Sequence, residues 1–248
     1  MSQDLDIDDE DIIYEDTAAV EEEEQLPVDS VVQSYLVNIT KDISSNSVAA
    51  KNLLKRIKYS GFFICPENPI SKVTSLIQSG GIKSTEELVN PFYLPKVFIW
   101  EPDEAFQISL SCIQCKGSVT KKGWADRPRK VYDLNGVYYL LSRQYQCQDT
   151  KCMKKFLAST SKCLLSLPFD IQSQFPAILS KRSGLDKTII SKMHSLCDGG
   201  FGPTGVFKLL RESYTLSHNV SELAYYSLLS RILGLQEKRK QFGVLIRV

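Results

Sequence analysis

Four cysteines are spaced for metal chemistry. Cys112 and Cys115 form a C-x2-C knuckle, and Cys147 and Cys152 form a C-x4-C pair after 31 intervening residues. Short C-x(2–4)-C turns place two sulfurs on one side of an ion, and zinc accepts four thiolates in a tetrahedron. The spacing therefore predicts one structural Zn2+ held by Cys112, Cys115, Cys147 and Cys152. A catalytic ion is not expected, because four thiolates leave no position for water, and the His-x-Glu that precedes the cysteine pair of zinc deaminases is absent. The competing reading is four reduced, buried cysteines at chance spacing. Against it, a loop-rich segment with few large aliphatics needs a staple, and zinc supplies on the order of 10 kcal/mol of folding energy. The other three thiols, Cys65, Cys163 and Cys197, sit among apolar or helical residues and read as core. His194 and His218, the two histidines, read as ordinary surface or core side chains, although His194 and Cys197 lie three apart on a predicted helix.

The second chemical signal is cationic. Between and beside the knuckles stand Lys121, Lys122, Arg127, Arg129, Lys130 and Arg143, interleaved with Trp124, Tyr132, Tyr138, Tyr139 and Tyr145. Cations neutralise phosphates and aromatic faces stack on bases, a mixture suited to nucleic acid. Tyr139 and Tyr145 read instead as core. Lys208 and Arg211, on a helix after the Gly199-Gly200-Phe201-Gly202-Pro203 break, add a helix-turn-helix-like candidate, a weak pattern because any αα-hairpin looks similar.

These residues need elements to position them. Val97–Trp100 is a short apolar strand, with Trp100 a core anchor. Arg129–Asp133 and Val137–Gln146 read as strands joined across Asn135-Gly136, a dipeptide that tolerates a tight hairpin turn. A β-hairpin between the knuckles would bring the two thiol pairs together, the plan of a zinc ribbon. Ser44–Tyr59 reads as an amphipathic helix, and a short helix near Lys72–Gln78 follows Pro66 and Pro69. Ser84-Thr85-Glu86-Glu87 has capping-box spacing. After Ser161 helices dominate, over Lys162–Leu167, Ile171–Leu179, Leu185–Cys197, Thr204–Ser213 and Ser221–Leu233.

Charge is divided sharply along the chain. Residues 1–29 hold 13 of the 29 acidic residues and no Lys or Arg, which leaves the remainder near +14. A body that basic suits a polyanionic partner. The acidic segment lacks apolar periodicity and is expected to be disordered; its Ile12-Ile13-Tyr14 patch could add as a strand to a partner protein, though stray apolar residues in a solvating tail are the simpler reading. No run reaches the roughly 18 apolar residues of a membrane span, and the acidic start is unlike a secretory signal. An intracellular protein with reduced thiols is the expectation, with Lys238-Arg239-Lys240 a candidate for nuclear import.

Several segments in order carry a resemblance: Val97-Phe98-Ile99-Trp100-Glu101-Pro102, the Cys112/Cys115 knuckle, Gly123-Trp124, Arg127-Pro128-Arg129-Lys130-Val131 with Asp133, Tyr138-Tyr139-Leu140-Leu141 and Tyr145-x-Cys147. Leu167-Pro168, Phe175-Pro176-Ala177 and Arg182-Ser183-Gly184-Leu185-Asp186-Lys187 continue it. From about Phe62 to Leu233 the chain resembles an uncharacterised cysteine-cluster, zinc-ribbon-like domain of eukaryotic mobile-element and transposase-related proteins. Members are usually longer, with a transposase-like catalytic portion after the helical region. The resemblance implies a DNA-binding half without the enzyme; the C-x4-C pair departs from the shorter spacing expected.

The resulting expectation is an α+β protein in which a small zinc-ribbon β-hairpin module is flanked by helical segments, with a helical C-terminal part. Its divisions are a disordered acidic tail over 1–40, a helical lead-in with a short strand over 41–107, the ribbon over 108–160, a helical and helix-turn-helix-like part over 161–236, and a tail over 237–248. The expected function is non-enzymatic, zinc-stabilised DNA binding in the nucleus. The alternative is a protein-interaction adaptor that uses the acidic tail or the helical bundle, with zinc purely structural.

Overall fold

A computed structural model describes residues 30–45, 61–80, 84–181, 183–200 and 202–245. The acidic segment 1–29 and the helix expected over 46–59 lie outside the described residues. The protein is a mixed α+β fold built on an eight-stranded sheet.

The first helix, α1 (Ser30–Ser44), begins inside the segment expected to be tail and buries Leu36, Ile39 and Ile43. These residues recur at three- and four-residue spacing, so they form one stripe against the main core. β1 (Phe63–Ile64) follows. Helix α2 (Pro69–Gln78) is capped by Asn68, whose side chain accepts from the N–H groups of Ile70 and Ser71. Helix α3 (Thr85–Val89) has Ser84 as N-cap, but without the side-chain hydrogen bond of a capping box.

The central strands are β2 (Lys96–Trp100), β3 (Val119–Trp124), β4 (Arg129–Asp133), β5 (Gly136–Cys147) and β6 (Lys155–Leu157), with α4 (Pro102–Phe106) between β2 and β3. After them come α5 (Ser161–Leu165), α6 (Phe169–Gln174), β7 (Ala177–Leu179), β8 (Gly184–Asp186), α7 (Lys187–Asp198) and α8 (Pro203–Leu245). The main path of the sheet runs β1-β2-β5-β4-β8-β7, and β3 and β6 both pair with β5.

The predicted hairpin is present, one residue early. Asp133 faces Gly136, so the turn residues are Leu134 and Asn135, and Gly136 takes φ +146° where a side chain would be strained. Two expected helices are instead partly strand. Residues 177–179 and 184–186 pair with each other, and β8 lies parallel to β4, so the sheet extends well past the cysteine region. Pairing with the edge of β4 overrides the helical reading of these short apolar runs. The two helices expected after Gly202 are one, the 43-residue α8.

Strand β5 organises the molecule. Its first half, to Ser142, pairs in parallel with β2 and antiparallel with β4. From Arg143 to Cys147 it pairs with β3, and Gln144–Gln146 pairs with β6, making a three-stranded antiparallel sheet. The core beneath the first half is aromatic: Trp100, Phe98 and Phe175 are buried, and the Trp100 and Phe175 rings meet edge-on at 5.1 Å. No helix among the described residues is long and apolar enough to cross a membrane.

Candidate metal centre

The two cysteine knuckles are built alike. In the first, the Cys112 N–H donates to the Gly117 carbonyl at 2.8 Å, the Lys116 N–H donates to the Cys112 carbonyl, and Lys116 takes φ +62°. In the second, the Cys147 N–H donates to the Lys154 carbonyl at 2.9 Å, the Met153 N–H donates to the Asp149 carbonyl, and Met153 takes φ +47°. The extra residues of the C-x4-C pair are absorbed by Asp149, whose carboxylate accepts from the Lys151 N–H. Each knuckle thus turns the chain back within a few residues, with both sulfurs on one side.

What joins the knuckles is β3 against β5, with Val119 opposite Cys147 and the Ser111–Ser118 bridge holding the first turn closed. The β4–β5 hairpin expected to do this points the other way, into the large sheet. The four sulfurs all lie within 4.8 Å of one another. Cys112 and Cys152 sulfurs are 3.7 Å apart, and Cys115 and Cys147 sulfurs 3.3 Å. A tetrahedron of thiolates at the usual zinc–sulfur bond length has edges of about 3.8 Å, so this donor set fits a single four-coordinate ion. Gly117 lies against the cluster: a Cβ there would stand in van der Waals contact with it, 3.4 Å from the Cys115 sulfur and 3.9 Å from that of Cys147. Four cysteines are therefore placed to hold one metal ion.

Electrostatics at the cluster are uneven. Burial alone would push the Cys112 thiol up, but the backbone N–H groups of Cys115 and Gln114 and the neighbouring thiols outweigh it and hold it down, to about 7. Cys147 is pushed up to about 12 by burial, with the thiols of Cys115, Cys112 and Cys152 adding to the rise. A cation at the centre would stabilise all four thiolates together.

The remaining cysteines split. Cys163 is buried, as expected, and burial pushes its thiol up to about 11. Cys65 and Cys197 are exposed, contrary to the core reading. Apolar neighbours in sequence did not translate into apolar neighbours in space. His194 is exposed, and the His218 ring rests on Tyr93 at 5.3 Å. Among the described residues the only cluster suited to a metal is Cys112, Cys115, Cys147 and Cys152.

Several cations expected on a ligand surface prove to have partners inside the protein. The Lys121 ammonium is ringed by Glu101 at 2.9 Å, Asp103 at 3.1 Å and Glu104 at 3.0 Å. Burial opposes its charge, but these carboxylates prevail and hold the ammonium above its ordinary range. Arg143 lies 3.3 Å from the same Glu101 and covers the Trp124 ring at 4.9 Å. The Tyr145 hydroxyl donates to Asp103. Three carboxylates at the start of α4 converge on one lysine. That cluster rivets the end of β2 to β3 and the second half of β5. Sequence spacing offered no hint of it, because the acids lie 17 to 20 residues before Lys121.

Arg129 donates to the Ser180 carbonyl at 2.7 Å, and the Lys130 ammonium lies 5.2 Å from the centre of the Tyr132 ring. Lys122 and Arg127 are exposed. Lys208 and Arg211 are exposed on α8, close to Ser213, whose hydroxyl donates to the Leu134 carbonyl. They thus stand near the hairpin turn, at the opposite end of β5 from the thiols. The aromatic residues interleaved with the cations belong largely to the core: Trp124, Tyr138, Tyr139 and Tyr145 are buried, and Tyr132 is half-buried.

A model of the family described as Domain of unknown function (DUF6729) matches residues 78–243, well over half of the chain. The chain belongs to the DUF6729 family. The matched stretch contains all four clustered cysteines and every strand from β2 to β8, so the DUF6729 domain and the body of the fold coincide. No curated protein and no solved structure matches the chain.

Proposed function

We propose that this DUF6729 protein is a zinc-stabilised, non-enzymatic DNA-binding protein of mobile-element descent that acts in the nucleus. In this reading Cys112, Cys115, Cys147 and Cys152 hold one structural Zn2+, and β3, β5 and β6 with the two knuckles form a zinc-ribbon-like module. When bound, the ion neutralises the thiolates and fixes both turns; a full set of four sulfurs leaves it no open position for water.

The observation that carries the DNA reading is the charge of one face of the three-stranded sheet. Thr120, Gln144 and Lys155 share the face opposite Tyr145 and Phe156, as their register requires, together with Leu157 and the buried Gln146. Lys122 stands in the bulge between Lys121 and Gly123. None of these positions carries a carboxylate, and Lys116, Lys151 and Lys154 are exposed on the adjoining knuckles. Exposed ammonium groups beside neutral amide and hydroxyl groups suit a phosphate backbone. Lys121 and Arg143 are not part of this surface, because their charge is satisfied by Glu101, Asp103 and Glu104.

Titrating labelled duplex and single-stranded DNA with the zinc-loaded chain tests this. Affinity is expected to fall steeply with salt, as counterion release dictates, and to drop about tenfold or more in Lys122→Glu/Lys155→Glu. Salt-independent affinity, or affinity unchanged in that variant, would sink the DNA reading. The adaptor alternative draws support from exposed apolar residues on α8.

A further inference from the structure

Tyr93 stands where the chain before the large sheet meets α8. It caps the 3-10 turn Asn90–Phe92, and its N–H donates to the Asn90 carbonyl at 3.0 Å. Packing fixes this turn on the helix. Phe92 is buried with Val73 and Leu228, and its ring meets that of Tyr225 edge-on at 5.8 Å. The Tyr93 ring itself rests on His218 at 5.3 Å. One turn further along α8 comes Glu222, and a turn beyond it Tyr225 and Tyr226, whose rings are 5.5 Å apart. These four helical residues lie within about 100° of arc, so they share one face. Burial, and then Glu222 and Tyr226, push the Tyr93 phenol up, which puts both within electrostatic reach of it. The core does not consume these rings, since Tyr93 is 41% and Tyr226 53% exposed.

We propose that Tyr93, His218, Glu222 and Tyr226 form a binding site for a methylated ammonium cation, the group carried by trimethyl-lysine and by choline. Glu222 is half-buried, yet among the described residues it makes no ion pair. No Lys or Arg stands three or four residues from it on either side to supply one along the helix. An acid held among aromatic rings without a counter-charge suits a cation from outside the chain, because ring faces and carboxylate both attract positive charge. The same composition selects methylation. A bare ammonium is strongly hydrated and brings three donors, which one carboxylate cannot satisfy. Methyl groups replace those donors with apolar surface that packs on the rings. The site draws neither on zinc nor on DNA, and it stands or falls separately from both.

Nuclear magnetic resonance of the full zinc-loaded chain with isotope-labelled tyrosine rings tests this, at about pH 8, above the range in which imidazole takes up a proton. The probes are trimethyl-lysine, choline, lysine and the neutral analogue of choline with carbon in place of nitrogen. The Tyr93 and Tyr226 signals are assigned by their loss in Tyr93→Phe and Tyr226→Phe. Both should shift saturably with the methylated cations, with a Kd of about 10 mM or tighter. Lysine should bind at least about fivefold more weakly, and the neutral analogue more weakly still. Glu222→Gln and Tyr93→Ala, read at Tyr226, should each weaken binding about fivefold or more, while Tyr93→Phe, which keeps the ring, should stay within about twofold. Unchanged far-UV circular dichroism checks the fold, and Glu222→Gln alters no packing volume. Tighter binding of trimethyl-lysine assigns the site to a modified lysine of a partner chain, and tighter binding of choline to a small molecule or lipid headgroup; either upholds the cation site. No saturable shift by about 50 mM, lysine or the neutral analogue binding as tightly as the methylated cations, or affinity untouched by both Glu222→Gln and Tyr93→Ala would each overturn it.

Discussion

Cys147 sits directly opposite Val119 in the pairing of β3 with β5. That single register places the C-x4-C pair beside the C-x2-C knuckle, since only a tight turn separates Val119 from Cys115. A slip by one residue would carry Cys147 to the other face of the sheet and divide the sulfurs. The metal centre is thus a product of strand register, and the ion in turn would lock that register.

Cys147→Ser is expected to remove the bound zinc and to loosen β3, β5 and β6, because binding energy at such a site is folding energy, on the order of 10 kcal/mol. Metal content by inductively coupled plasma mass spectrometry and protease susceptibility measure both. A variant that kept one zinc per chain would show that the four sulfurs do not act together.

Neighbouring lysines on β3 should behave oppositely. Lys121→Met leaves Asp103 and Glu104 without the ammonium and Glu101, 8% exposed at its side chain, with Arg143 alone, and should cost about 2 kcal/mol after allowance for partial exposure. Lys122→Met, at an exposed position, should change stability by less than about 0.5 kcal/mol while weakening DNA binding. Urea unfolding and DNA titration of the two variants separate the roles; equal stability losses would contradict the assignment.

Alkaline pH probes Tyr138. Burial first, then the charge and hydrogen bond of Asp186, lifts its phenol above the ordinary range. The folded state therefore keeps a proton that the unfolded state has lost. The associated stability is complete below the ordinary phenol value of about 10 and declines as pH rises beyond it. Tyr145 shifts in the same direction, through burial and Asp103. Tyr138→Phe should flatten the alkaline limb in part, as measured by urea midpoints from pH 8 to 11. An unchanged slope would mean that Tyr138 does not contribute to it.

Gly184 tests the joint between β4, β7 and β8. A Cβ there would lie 2.7 Å from Leu179 Cδ2 and 3.1 Å from Val131 Cγ2. Leu179 can give way, whereas Val131 is fully buried. Gly184→Ala should therefore cost about 1–2 kcal/mol as overpacking. A midpoint in urea no lower than that of the parent would show that the strands have slack.

The parts legible in the sequence were those with local signals. The strand at Val97–Trp100, the hairpin around Asn135 and the cysteine spacing each depend on a handful of adjacent residues. Trp100, Tyr139 and Tyr145 are buried as their surroundings suggested. Non-local pairing was not legible. β7 and β8 are three residues each and exist because β4 offers an edge. The knuckles meet through β3, whose Lys121-Lys122-Gly123 reads as surface loop until its partner strand is known. The role of Lys121 was hidden for the same reason. A lysine in a basic run looks free for a ligand unless the carboxylates that reach it from another element are in view.

The continuous run of β5 from the large sheet into the small one has a bearing on how such a protein could diversify. A cassette that ends in loops can be excised or transplanted, but here any cut between the metal ligands and the body would sever a twelve-residue strand. Any ion held by the four thiols would thereby bear on the strand that organises the whole molecule rather than on one detachable appendage.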